Sequence, residues 1–239
     1  MPLPTISTPT YELELPSTGE SVQYRPFLVR EEKLLVLALE SEDSRQITNA
    51  IKSVITNCIK TESVKVESLP TFDIEYLFLN IRGKSVGEEL EVNVLCPDDE
   101  ETYVPTTINI DDIKVVKNEE HEKNIKIDDQ LMMEMKYPSL EQFIQTNFDF
   151  TNDAGVEQSF NLIASCISQI FTSEESWAVE DVPKKEVQAF LDQMNSSQFK
   201  KIEQFFSTMP KLSHEIVVKN PKTGVVSTVV LEGLSSFFA

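Results

Sequence analysis

Glycine is scarce in this chain, with 6 among 239 residues where roughly 7% is usual. That scarcity excludes collagen-like and low-complexity architecture and disfavours glycine-rich nucleotide loops. Histidine is scarcer still. His121 and His214 are too few for a histidine-built metal centre, and neither a His-Glu-x-x-His nor a Cys-x-x-Cys pair occurs, so zinc has no anchor. The three cysteines, Cys58, Cys96 and Cys166, are odd in number and widely spaced, which fits buried thiols in a reducing compartment. No apolar run approaches the roughly 18 residues of a membrane span. The opening stretch MPLPTISTPTYELELPSTG has neither a basic nor an apolar signal-peptide region, so synthesis in the cytoplasm is expected. Basic residues are also few, 21 Lys and Arg against 40 Asp and Glu, for a net charge of −19. Nucleic acid and anionic lipid would both repel such a surface, so neither is expected as a partner. The acidity reads either as a solvated surface or as that of an acidic subunit meeting basic partners.

What is present is a core. Hydrophobic residues make up 40% of the chain, including 14 Phe, enough for one large domain or two small ones without staples. Four prolines in the first 20 residues, Pro2, Pro4, Pro9 and Pro16, resist helix and predict an extended arm. Alternation at Tyr11–Leu15 and Val22–Leu28, around Ser17-Thr18-Gly19-Glu20, predicts a hairpin. A first helix is expected near Glu31–Ser41. Asp43 or Ser44 caps a second, with Ile47, Ile51, Val54, Ile55, Cys58 and Ile59 at helical spacing. Thr71 caps a third, with Ile74, Leu77, Phe78 and Ile81 on one face and Gly83 at its end. Leu90, Val92 and Val94, a turn at Cys96–Glu100, and Val104–Ile110 form an antiparallel ribbon.

Residues 117–130 are charged and aperiodic, which reads as a linker. A short helix from Lys136 through Gln145 and a polar loop at Asn147–Asp153 follow. Val156, Phe160, Ile163, Cys166, Ile167 and Ile170 then form a helical stripe, Trp177 falls in a loop, and Pro183 opens a helix through Met194. Ser196 or Ser197 caps another helix through Ser207. Glu215–Lys219 and Val225–Leu231 make a second ribbon. Helix, helix, ribbon thus occurs twice, and Val54–Ile59 aligns with Leu162–Ile167 without a gap; a duplication or a coincidence of common motifs explains this. The expected architecture is α+β. Residues 1–42 form the arm, hairpin and first helix, 43–117 a first helix-helix-ribbon unit, 118–154 a charged linker with a short helix, and 155–239 a second unit.

No catalytic set emerges. Gly83-Lys84-Ser85 lacks the upstream glycine of a phosphate loop and follows a helix instead of opening one. Ser197-Gln198-Phe199-Lys200 with Lys222-Thr223-Gly224 imitates two pieces of a serine acylase signature, too close together and without the third. Asp98-Asp99-Glu100-Glu101 reads as a solvated acidic turn or a cation site, but the spacing and glycine of a calcium loop are missing. Met132, Met133 and Met135 are adaptable apolar contacts, at core or interface. No catalytic residue, metal or cofactor is therefore expected. Arg25, Arg30 and Lys33 form a basic island in an acidic chain. The paired Phe237 and Phe238 need a covering surface, within the chain or in a neighbour.

Three stretches carry a family resemblance. Pro2-Leu3-Pro4, Thr8-Pro9-Thr10-Tyr11 and above all Tyr24-Arg25-Pro26-Phe27-Leu28-Val29-Arg30-Glu31-Glu32-Lys33 form the first. Thr71-Phe72-Asp73 through Leu77-Phe78 and Ile81-Arg82-Gly83-Lys84-Ser85-Val86-Gly87 form the second. Phe205-Phe206, Met209-Pro210-Lys211-Leu212 and Leu231-Glu232-Gly233-Leu234 through Phe237-Phe238 form the third. In this order they resemble the baseplate hub subunit family of T-even-like contractile-tailed bacteriophages. Relatives often carry Cys-x-x-Cys-like pairs in the two ribbon turns. Here the first turn keeps Cys96 with Asp99 in the second position, and the second turn has Asn220 and Thr223. The resemblance therefore implies bare hairpins in place of zinc sites. It also implies a non-enzymatic virion or assembly protein of the tail baseplate, present in multiple copies of a symmetric assembly and acting through other baseplate and tail proteins. The alternatives are a transient assembly chaperone and a cryptic hydrolase. Arg25, Phe27 and Arg30 are the expected docking segment, unless they only pack the start of a helix within its own domain. Phe237 and Phe238 are the expected second contact.

Overall fold

The computed structural model describes residues 6–41, 43–139, 142 and 156–237. Helix and strand are mixed, as expected of an α+β chain, in two compact units. Residues 1–116 and 211–239 form the first unit, and 117–210 the second.

In the first unit, β1 (Tyr11–Glu14) and β2 (Ser21–Tyr24) pair as the expected antiparallel hairpin. The hairpin does not trail as a free arm. Leu15, Val22 and Tyr24 are buried. At the turn, the Ser17 N–H donates to Asp73 Oδ1 at 3.0 Å and the Ser17 hydroxyl donates to the other carboxylate oxygen. Further along, the Arg25 N–H donates to the Cys58 carbonyl at 2.9 Å and the Lys60 N–H to the Gln23 carbonyl at 2.8 Å.

Helices α1 (Val29–Glu40) and α2 (Ser44–Cys58) follow, the latter capped by Asp43, which accepts from the Arg45 N–H at 2.8 Å. Helix α3 (Thr71–Val86) runs past the expected stop. Thr71 is its first helical residue and not its cap; the Pro70 carbonyl accepts from the Asp73 and Ile74 N–H groups. Gly83 lies inside the helix because of packing. A Cβ there would stand 3.1 Å from Ile110 Cδ1, tighter than most such contacts, so a larger residue would require Ile110 to shift by a few tenths of an ångström. The stop is Gly87, whose φ of 132° is a conformation that side chains rarely adopt. Phe72, Ile74, Leu77, Phe78, Leu79 and Ile81 are all buried, so α3 is sheathed almost all round.

Strands β3 (Glu89–Leu95) and β4 (Tyr103–Asn109) form the expected ribbon, with Leu90 opposite Ile108 and Val94 opposite Val104. A three-stranded sheet, ordered β11-β10-β5, completes the unit from β5 (Lys114–Val116), β10 (Lys211–Lys219) and β11 (Val226–Glu232). Its inward residues Leu212, Ile216 and Val218 share one core with Leu79, Val92 and Ile113. The expected second helix-helix-ribbon unit at 155–239 is thereby corrected. Its ribbon belongs to the first unit, because β10 pairs antiparallel with β5, Lys211 opposite Val116 and Ser213 opposite Lys114. The repeated order of elements does not make two equivalent units.

The second unit is inserted between those two paired strand ends. It holds a four-stranded sheet, ordered β6-β7-β8-β9, from β6 (Asn124–Lys126), β7 (Met132–Met135), β8 (Ile167–Phe171) and β9 (Ser176–Ala178). Helices α4 (Val156–Ser165), α5 (Lys184–Asp192) and α6 (Ser196–Thr208) accompany it. The expected linker is therefore part of a folded unit. Ile125 and Ile127 alternate with charged neighbours and pack with Met133 and Met135, a strand pattern too short to stand out among Glu and Lys. The helical stripe stops at Ser165. Ile167 and Ile170 lie on β8, paired with Met135 and Met133, and Trp177 sits on β9 opposite Ile170. Asn195, not Ser196 or Ser197, caps α6: its side chain accepts from the Ser197 and Gln198 N–H groups, both at 3.0 Å, while Gln198 Oε1 accepts from the Asn195 N–H. Lys136–Ser139 are not helical. The rest of the expected helix through Gln145, Gln142 excepted, and the loop at 147–153 lie outside the described residues.

Candidate docking helix

The expected docking segment begins with Arg25, which is buried. Arg25 Nη2 pairs with Glu31 Oε1 at 3.0 Å, and Arg25 Nη1 also donates to the Pro26 carbonyl at 2.9 Å. Glu31 is 2% exposed. Its Oε2 accepts from the Leu28 N–H at 2.8 Å, closing the first turn of α1, and its Oε1 also takes Arg30 Nε at 2.7 Å. Burial alone would raise this carboxyl, but the donors from Arg25, Arg30 and Leu28 outweigh it and hold the pKa at about 2. The basic island is thus split. Arg25 is an internal strut, whereas Arg30 and Lys33 stand exposed. Phe27 is half-buried, its N–H donating to Ser85 Oγ at 2.9 Å.

Sequence reasoning missed the outer surface of the helix that this cluster fixes. Val29 is 66% exposed, Val36 48%, Leu37 65% and Leu39 60%. Only Glu31 and Ala38 of α1 are buried. Val36 and Leu37, with Glu32, Lys33 and Glu40, line a shallow open groove. Apolar residues occupy every side of α1, which is the composition of a helix covered on all sides; here one side is uncovered. The signal was present in Leu34-Leu35-Val36-Leu37-Ala38-Leu39, a run with no polar stripe.

Phe237 is 1% exposed and packs in the first unit's own core, so the covering surface it needed lies within the chain. Phe238 lies outside the described residues. The two ribbon turns are not bare hairpins. The Asn220 amide donates to both Asp98 carboxylate oxygens at 3.1 Å, Thr223 Oγ1 donates to Asp98 Oδ2 at 2.5 Å, and Thr102 Oγ1 donates to Asp99 at 2.6 Å. These donors hold both carboxyls below the usual range, with Thr223 acting first on Asp98 and Thr102 first on Asp99. Asn220 is buried. Asn220→Ala should therefore lower stability by about 1–3 kcal/mol through the lost hydrogen bonds of this buried amide, read from the urea midpoint; an unchanged midpoint would show the turns to be independent.

His121 is a structural histidine of the second unit. It stacks on Tyr137 with ring centroids 5.5 Å apart, and its Nδ1 lies 2.9 Å from Thr208 Oγ1. Burial, then Lys123, lowers its pKa. Met133 and Met135 are core residues. All three cysteines are free and buried, and burial pushes Cys58 to about 11 and Cys166 to about 12, far from a reactive thiolate. Among the described residues no group of three or more His, Cys, Asp or Glu could hold a metal ion, and no helix is long and apolar enough to cross a membrane.

An acidic α+β chain with an uncovered apolar helix has the make-up of a subunit in a larger assembly. Residues 8–239 match the family described as T4 bacteriophage base plate protein. The chain belongs to this family, which places it in the phage tail among other baseplate proteins. No curated protein and no solved structure matches it.

Proposed function

We propose that the chain is a non-enzymatic structural or assembly subunit of the central hub of a contractile-tail baseplate, docked to neighbouring tail proteins through α1. The observation that carries this reading is the uncovered face of Val29, Val36, Leu37 and Leu39. The groove beside it carries charge of both signs, Lys33 with Glu32 and Glu40, while Arg30 is already paired with Glu31. Full burial of a Val or Leu side chain contributes roughly 1.5–3 kcal/mol, so a partner covering two leucines gains several kcal/mol.

The test is complementation during infection, with the wild-type chain or Leu37→Glu/Leu39→Glu supplied in place of the phage copy. The double variant should keep its urea midpoint, since both side chains are solvated, yet be lost from purified tails by mass spectrometry. Normal incorporation of the variant would overturn docking through α1. Wild-type chain in hub intermediates but not in purified virions would select the transient chaperone instead.

A further inference from the structure

We infer that α1 is where two copies of this chain meet, their helices packed antiparallel about a two-fold axis beside Val36 and Leu37. This rests on α1 being the docking surface and names what docks there. At about 100° per residue, Val29, Lys33, Val36 and Glu40 lie within about 40° of the direction opposite buried Ala38. All four are exposed, and Leu37 and Leu39 stand exposed on either side of them. The helix therefore presents one continuous face, apolar along its middle and charged at two points. Those points are Lys33 and Glu40, and neither has an ion-pair partner among the described residues. Arg30, by contrast, is already held by Glu31.

The spacing of the two charges selects the occupant. Side chains on one helix pair at three or four residues. At those distances Lys33 has Val29, Arg30, Val36 and Leu37, none of them acidic. Glu40 has Val36, Leu37, Asp43 and Ser44, none of them basic. Neither charge can be met within its own helix. A two-fold axis perpendicular to both helices and beside Val36 and Leu37 leaves those two residues against their counterparts. It also sets Lys33 of each copy against Glu40 of the other, since both are equally far from the axis. The two side chains lie on the same side of the contact, about 20° apart around the helix. One operation thus satisfies both charges twice, as an isologous contact requires. A parallel pair would set lysine against lysine and glutamate against glutamate, so flanking charge fixes the direction, as it does in coiled coils.

A partner of one sign fits this groove poorly. An acidic surface would meet Glu32 and Glu40, and a basic one would meet Lys33. A second copy carries the matching arrangement. The contact of two 12-residue helices is small beside the roughly 800 Å² per partner of a standard interface. The net charge of −19 on each copy also opposes approach. The dimer is therefore weak, with a Kd expected at about 10–100 μM. Salt of about 0.15 M screens the distant like charges, because the screening length is then about 8 Å, while leaving the close pairs largely intact.

The experiment is sedimentation equilibrium of the full chain at concentrations up to about 0.3 mM. A concentration-dependent dimer is expected. Lys33→Glu and Glu40→Lys each turn two attractions into two repulsions and should weaken it about tenfold. Glu40→Lys also lowers the net negative charge, so an association limited by long-range repulsion would tighten instead. An equimolar mixture of the two variants should dimerise like the wild type, because each supplies the charge the other lacks. The double change Lys33→Glu/Glu40→Lys should recover the dimer for the same reason. Both side chains are exposed, and unchanged circular dichroism melts check that the fold is kept. A chain that stays monomeric throughout overturns the pairing. So does a dimer indifferent to the single changes, or one that neither the mixture nor the double change restores. A monomeric wild type, with Leu37→Glu/Leu39→Glu still lost from tails, would keep α1 as the docking surface and assign it to a different tail protein. Normal incorporation of that variant would remove the docking reading itself.

Discussion

Glu31→Gln is expected to destabilise the first unit by about 3 kcal/mol, because it leaves the Arg25 guanidinium buried with its charge uncompensated. The glutamine keeps an oxygen for the Leu28 N–H, so the loss isolates the ion pair and not the helix cap. The pH dependence gives an independent measure. Glu31 titrates at about 2 in the fold against 4.5 when free. A depressed carboxyl contributes stability that is present above the unfolded value and lost as pH falls through the folded one. Wild-type stability should therefore decline between about pH 5 and pH 2, by about 3 kcal/mol from this group at 1.36 kcal/mol per unit. Glu31→Gln should remove this group's share of that slope. Urea unfolding at pH 7 and pH 3 reads both effects. A variant with an unchanged midpoint and an unchanged acid limb would show the pair to be incidental. The double change Arg25→Met/Glu31→Leu should be milder than Glu31→Gln, since replacing a buried pair by apolar groups is often nearly neutral.

The same cluster shows what was legible in advance. Sequence marked Arg25, Phe27 and Arg30 as one segment, and the chain does fold them around the start of α1. It did not separate their roles, because an arginine held internally by a glutamate six residues on looks like any other surface arginine. Helical spacing was a sound guide wherever polar residues interrupt it, as in α2, with Asp43 at its start. It failed where apolar residues are contiguous. Val156 to Ile170 reads as one stripe, yet Cys166 breaks it into α4 and β8, and only the cross-strand partners Met133 and Met135 decide that break. Short strands flanked by charge, such as Asn124–Lys126, carry too few residues for a period of two to emerge. The division into units was illegible for a different reason. Order along the chain repeats, but pairing between β5 and β10 spans the whole inserted unit, and such distant register leaves no local trace. Mutually close turns were equally hidden. Asp98 and Asn220 are 122 positions apart and share two hydrogen bonds.

Phe237→Ala should be the most damaging truncation near the C-terminus, with an expected loss of about 3–5 kcal/mol. A terminal phenylalanine is ordinarily a candidate for fraying or for a partner's pocket. This one is 1% exposed and packs with Leu79, Leu212 and Ile216. The path that delivers it is fixed as well: the Gly233 N–H donates to the Leu212 carbonyl at 2.9 Å, and Ser236 Oγ to the Glu232 carbonyl at 2.7 Å. Removing the ring empties a site bounded by a helix and two β-ribbons, elements that cannot close on it without breaking their own ladders. Phe237→Leu, which retains most of the volume, should lose much less. Leu37→Ala on α1 is the counter-case, an equally apolar side chain whose removal should change stability by no more than about 0.5 kcal/mol because water already surrounds it. Circular dichroism melts and urea midpoints of the three variants check the ordering. A loss under about 1 kcal/mol for Phe237→Ala would return the chain's end to the list of docking surfaces. The expected ordering leaves that role to α1, whose exposed Leu37 and Leu39 contribute little to the fold that holds them out.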